Sequence, residues 1–112
     1  MKLNTDEKNG IVIFELSGKI MGGEDETVFY GTLQKMIQLN KTKVVIDLAE
    51  VEWMNSLGLG LVISGLTTMR KNDGELKLAN VAEKVESLLV LTRLITAFES
   101  YDSIDEAVNS FG

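Results

Sequence analysis

The segment from Val44 to Gly60, VVIDLAEVEWMNSLGLG, constrains the fold of this chain more than any other. Val44, Val45, Ile46 and Leu48 make a short apolar block rich in β-branched residues, the pattern of a strand covered on both faces. Asn55-Ser56 then precedes Leu59, Val62, Ile63, Leu66 and Met69. These apolar positions recur at three- and four-residue intervals, so they line one face of a helix. Ser56 therefore falls at a helix start, where backbone N–H groups lack intrahelical partners and the dipole is positive. A phosphate carried there would be stabilised. Serine and asparagine are also favoured N-caps, so capping alone accounts for either residue.

The flanking chain reads as alternating strands and helices. Lys2 to Asp6 suits a short edge strand, Lys8-Asn9-Gly10 a turn, and Ile11 to Leu16 a strongly apolar strand. Ser17-Gly18 is expected to break that strand, with Lys19 to Met21 extended and Gly22-Gly23 breaking it again. Glu24, Asp25 and Glu26 fit the first turn of a helix, where the dipole favours acids over the alternative of a cation site. Phe29, Leu33, Met36 and Ile37, with Val28 beside them, give that helix its apolar stripe up to about Asn40.

Lys43 to Leu48 is the central strand, Ala49 to Met54 a connection, and Ser56 to Arg70 the second helix. Asn72-Asp73-Gly74 stops it. Glu75 to Ala79 alternates as a short strand does. Val81 to Leu91, with Val85, Leu88, Leu89 and Thr92, keeps helical spacing, and Ala97 to Tyr101 suits a last strand. Ser103 and Glu106 form a capping box for a final helix faced by Ile104, Ala107, Val108 and Phe111. The order β-β-α-β-α-β-α-β-α predicts one α/β domain over 1–112: a mixed sheet of four to five strands with about four helices packed on it.

Composition removes several functions. The 112 residues include no cysteine, so disulfides, thiolate metal sites and thiol catalysis are excluded. No histidine is present, which removes the commonest general base and any Ser-His-Asp triad. A formal net charge of -6 argues against nucleic-acid binding and anionic membranes. The N-terminal residues hold no apolar signal core and no run is long enough to span a bilayer, so the expected location is cytoplasmic, without membrane insertion.

The remaining chemistries fit poorly. Gly58, Gly60 and Gly65 lack the spacing of a dinucleotide loop. Gly58 and Gly60 fit better as points where the helix start approaches a neighbouring strand or a partner. A nucleophile elbow needs glycine two residues before the serine, where Met54 stands. Asp47, Glu50 and Glu52 read as solvated acids at a strand end and in a connection. Trp53 and Met54 are large apolar residues in that connection, available to a partner or, in Met54's case, to the core. The expectation is a non-enzyme without cofactor or metal.

VVIDLAEVEWMNSLGLG resembles the hallmark segment of STAS domains of the anti-sigma factor antagonist (anti-anti-sigma factor) family, commonly DLS-x-V-x-(apolar)-(apolar)-D-S-(S/T)-G-L-G. The resemblance extends to the opening strands, Gly18, the Asn72-Asp73-Gly74 turn and the closing helix at Asp102 to Ala107. It implies a regulatory module that binds a GHKL-type serine kinase acting as an anti-sigma factor. Phosphorylation by that kinase ends the association, and a PP2C-type phosphatase reverses it. Carried onto this chain, the resemblance implies Ser56 as phosphoacceptor, the only hydroxyl in the motif core. It also implies a partner face of Met21, Gly22, Trp53, Met54, Asn55, Ser56, Leu57 and Gly58. Two positions depart from the pattern: Asn55 replaces the usual acid, and Leu57 the usual second hydroxyl. The alternatives are a STAS subunit that binds without being phosphorylated, for example beside a lipid-transport ABC ATPase, and a nucleotide-sensing STAS module.

Overall fold

The apolar blocks form the strands expected of them, and three of the four helices share one face of the sheet. A computed structural model of the chain describes residues 1–91, 93 and 98–112, Lys84 by its backbone only. Its elements are β1 (Lys2–Lys8), β2 (Ile11–Ile20), α1 (Glu24–Gln38), β3 (Lys43–Met54), α2 (Ser56–Lys71), β4 (Glu75–Ala79), α3 (Glu83–Leu91), β5 (Ser100–Tyr101) and α4 (Ile104–Asn109). Thr92 and Ala97, expected in the third helix and last strand, lie outside the described residues.

The five strands lie in sequence order, β1-β2-β3-β4-β5. β1 is antiparallel to β2 through a tight hairpin, and every later pair is parallel. Asn9 and Gly10 both take positive φ in that turn, at 54° and 79°, as a two-residue hairpin loop requires. Each crossover helix carries the chain one strand further in the same direction, so right-handed connections put α1, α2 and α3 on the same face. Their inward residues Phe29, Leu33, Val62, Leu66, Met69, Val85 and Leu89 join Phe14, Ile46 and Leu78 of the sheet in one cluster. The rings of Phe14 and Phe29 meet edge-on at 5.9 Å. Among the described helices α4 covers the other face, where Ala107 and Val108 lie on Ile11, Ile13, Val45 and Ala79.

Two sequence expectations fail at strand boundaries. Ser17-Gly18 does not end β2, which continues to Ile20, and Ala49 to Met54 is not a connection but the second half of β3. The reason is a pair of irregularities in the β2–β3 ladder. Glu15 pairs with Asp47 but Ser17 with Glu50, and Gly18 pairs with Val51 but Lys19 with Trp53. β3 gains one extra residue at each step, as in a bulge. Its buried positions then fall at Leu48, Val51 and Met54, a period of three that no regular strand shows. Gly18, with φ at 83°, is the residue that bends β2 to match.

Smaller corrections follow the same logic. α3 starts at Glu83 rather than Val81, and among the described residues the last strand is Ser100–Tyr101. In the turn after α2 the left-handed residue is Asp73, φ 59°, rather than Gly74. Gly74 is needed for space: a Cβ there would lie 2.3 Å from the Thr42 carbonyl oxygen. Val28 faces solvent, while Met36 and Ile37 are partly buried against the core.

Candidate functional site

Beyond Asp47, β3 leaves β4 and pairs with β2 alone. This two-stranded ribbon delivers the chain to Asn55 at one end of the sheet. Asn55 has the extended backbone of an N-cap, φ -97° and ψ -177°. Its Oδ1 accepts from the Gly58 N–H at 2.8 Å, and its own N–H donates to the Ile20 carbonyl at 3.3 Å. The cap of α2 is therefore Asn55, not Ser56. Ser56 is the first helical residue and is exposed.

With the Gly58 N–H taken by Asn55, the N–H groups of Ser56 and Leu57 are those the helix start leaves for solvent or a ligand. The first turn of α2 contains no acid, and its last turn carries Arg70 and Lys71, so side chains do not offset the positive end. This helix start is pressed against the end of β2. A Cβ on Gly58 would meet the Ile20 carbonyl oxygen, which fits the expected close approach. Gly60 does not share that role, since nothing lies within 4 Å of its missing Cβ. Gly65 instead makes room for the Phe29 ring.

The β2–α1 loop closes one side of the site. Gly22, at φ 91°, sits against Leu57, whose Cβ is 3.2 Å from where a Gly22 Cβ would stand. Asp25, in the acidic first turn of α1, accepts from the Met21 N–H at 3.1 Å and so holds this loop in place. Nothing in the spacing of the sequence signals that bond.

The structure thus gathers Met21, Gly22, Trp53, Asn55, Ser56 and Leu57 at one end of the molecule. Met21 is 46% exposed, Trp53 45% and Leu57 67%, so this end of the molecule carries large apolar side chains in the open as well as the exposed Ser56. Met54, the last residue of β3, and Gly58, in the first turn of α2, are buried, Met54 in the main core. They shape the surface from beneath and do not form it.

The acids of β3 are placed differently from expectation. Asp47 is no solvated loop acid: its Oδ1 accepts from the Ala49 N–H at 3.1 Å and from Asn80 Nδ2 at 2.9 Å, tying β3 to the end of β4. Glu50 and Glu52 are exposed but lie within the strand. Lys77 was unmarked in the alternation of β4, yet it is buried under α4. Its Nζ donates to Ser110 Oγ at 2.9 Å and lies 4.3 Å from the centre of the Phe111 ring.

No group of His, Cys, Asp or Glu among the described residues is arranged to hold a metal ion. No described helix is long and apolar enough to cross a membrane.

The five-stranded mixed sheet, the bulged ribbon and the serine at the start of α2 together define a STAS domain, and the chain belongs to the STAS domain family, whose model matches residues 2–107. A candidate anti-sigma factor antagonist of Thermotoga maritima is 36% identical over 72 residues, covering 62% of this chain and 64% of that protein. The chain thus aligns with somewhat under two thirds of that relative's length. The anti-sigma-B factor antagonist of Staphylococcus aureus is 26% identical, covering 84% of this chain and 88% of its own. Among solved structures, the crystal structure of a candidate anti-sigma factor antagonist from Thermotoga maritima superposes with a TM-score of 0.86 at 25% identity, over 96% of this chain and 92% of that one. The phosphorylated form of the Bacillus cell fate determinant SpoIIAA shares the fold, with a TM-score of 0.75 at 15% identity over 99% of this chain and all of its own.

Proposed function

We propose that this protein is an anti-sigma factor antagonist that acts by binding a serine-kinase anti-sigma factor and is released when Ser56 is phosphorylated. One observation supports the reading: Ser56 is exposed at the first position of α2, with the capping role filled by Asn55 and with Leu57 exposed next to it in the chain. Phosphoserine adds about -1.5 to -2 charge and three strong acceptors. The helix start accommodates that charge, so the domain stays folded. A partner surface closed over Met21, Trp53 and Leu57 does not, because a buried charge without a partner costs several kcal/mol. Such a cost weakens binding by orders of magnitude. A PP2C-type phosphatase then restores the binding form.

The test is incubation with the cognate GHKL-type kinase and ATP, followed by mass spectrometry of the modified peptide and a pull-down before and after. The reading expects one phosphate on Ser56 and loss of the complex. Modification elsewhere, or a complex indifferent to ATP, overturns it. A second reading rests on Leu57, an exposed apolar residue where the family pattern has a hydroxyl: a subunit in constitutive association, such as with an ABC ATPase. Co-purification with that ATPase and no phosphate on Ser56 would favour it.

A further inference from the structure

A trough runs from the β2–α1 loop across Trp53 and along α3. Three shallow hollows make it. The first is bounded by Met21 and Trp53, the second by Trp53, Leu88 and Leu91, and the third by Val90 and Leu91. Trp53 is common to the first two and Leu91 to the last two, so the hollows are continuous.

The sequence of α3 explains why this face exists. Val85 and Leu89 turn into the core. Glu83, Glu86, Ser87, Val90 and Leu91 follow the spacing i, i+3, i+4, i+7, i+8 and form a second stripe. Its N-terminal part is acidic, and its C-terminal part is apolar and outward, with Leu91 81% exposed. Large apolar side chains left outward on one helix face beside an exposed tryptophan mark a binding surface.

The charges say what kind of partner fits. Glu83 and Glu86 stand at one end of the trough and Glu52 at the other, against Lys19 among the described lining residues. The chain as a whole carries a formal charge of -6. An apolar floor with carboxylates at both ends is complementary to a segment with an apolar stripe and flanking cations.

We infer that this trough docks a basic amphipathic helix of a partner protein, with its apolar anchors over Trp53 and Leu91 and its Lys or Arg side chains toward Glu52, Glu83 and Glu86. Apolar anchors at helical spacing supply the affinity and the carboxylates fix the direction of the helix. This surface shares Met21 and Trp53 with the partner face proposed around Ser56, but docking of the helix does not depend on modification of that serine.

Trp53 is the chain's only tryptophan, so its fluorescence reports on the trough directly. The probe is a Leu/Lys amphipathic peptide of about four helical turns. Controls are a scrambled peptide of the same composition and a Leu/Glu counterpart. The expected result is a saturable blue shift of Trp53 emission with the patterned Leu/Lys peptide. Its affinity should fall at least about tenfold in L91Q and in E86K, and should weaken with added salt. Both substituted residues are exposed, and circular dichroism verifies that the variants are folded. The peptide titration uses neither kinase nor ATP and reads Trp53 emission rather than phosphate on Ser56, so this result stands or falls separately from the kinase test. No shift, equal binding of the scrambled or Leu/Glu peptide, or undiminished binding by L91Q overturns the inference. So does a dimer seen in sedimentation of the protein alone and lost in L91Q, which would assign the trough to a second copy of the chain.

Discussion

The Cβ that Gly58 lacks would stand 2.2 Å from the backbone carbonyl oxygen of Ile20, closer than any side chain permits. The start of α2 thus rests on the end of β2 with no room for a side chain at Gly58, and this contact sets where Ser56 is presented. G58A is expected to lower stability by about 2–3 kcal/mol, overpacking outweighing the better helix propensity of alanine. At Gly60 nothing lies within 4 Å, so G60A should stabilise by roughly 0.5–1 kcal/mol. Urea unfolding of the two variants checks the pair, and a similar response from both would refute the contact.

Asn55 caps α2 and Ser56 does not, which unfolding can distinguish. N55A should lose about 1 kcal/mol, the usual cost of a missing cap. S56A should remain within about 0.5 kcal/mol, as expected of an exposed side chain without a capping bond. N55D keeps the acceptor and adds a charge at the positive helix end, so it should gain about 0.3–1 kcal/mol at low ionic strength. The reverse order for N55A and S56A would assign the cap wrongly.

Leu57 is 67% exposed and abuts Gly22, so it serves the surface more than the core. L57D is expected to leave the unfolding midpoint nearly unchanged, within about 0.5 kcal/mol. Under the function proposed above, binding to an anti-sigma factor should fall by about tenfold or more, since a charge would enter the proposed apolar contact. Calorimetric titration against that proposed partner measures this. Intact affinity would remove Leu57 from the interface.

Lys77 joins β4 to α4 through Ser110 and the Phe111 ring. K77A should cost about 2–3 kcal/mol through lost packing under α4. K77M, which keeps most of the volume, should cost less than about 1.5 kcal/mol, because an apolar replacement also removes the need to solvate a charge. Hydrogen exchange of the α4 amides locates the effect. Loss confined to the opposite helical layer would contradict this placement.

The two halves of β3 show how far local pattern reaches. Val44 to Leu48 read as a buried strand because Val44, Ile46 and Leu48 meet the large helical core and Val45 the α4 face. Ala49 to Met54 did not, because two extra residues relative to β2 convert alternation into a period of three. A ladder shift depends on the partner strand, so no window of one strand contains it. Ser56 was legible at a helix start for the opposite reason: helix periodicity and caps are encoded within a few neighbouring residues. The division of labour between Asn55 and Ser56 needed backbone angles, as the two are adjacent and both suited to capping.

Residue order by itself determined the sequence of nine elements, the apolar faces of α1 and α2, the capped final helix and the STAS motif around Ser56. Each of these depends on contacts or periodicities a few residues long. Tertiary structure alone decided that Gly22 lies beside Leu57, that Met54 turns inward while Trp53 stays out, and that Lys77 is buried beneath Phe111. These relations join residues separated by tens of positions, and they exist only once the strands have paired and the helices have packed on them.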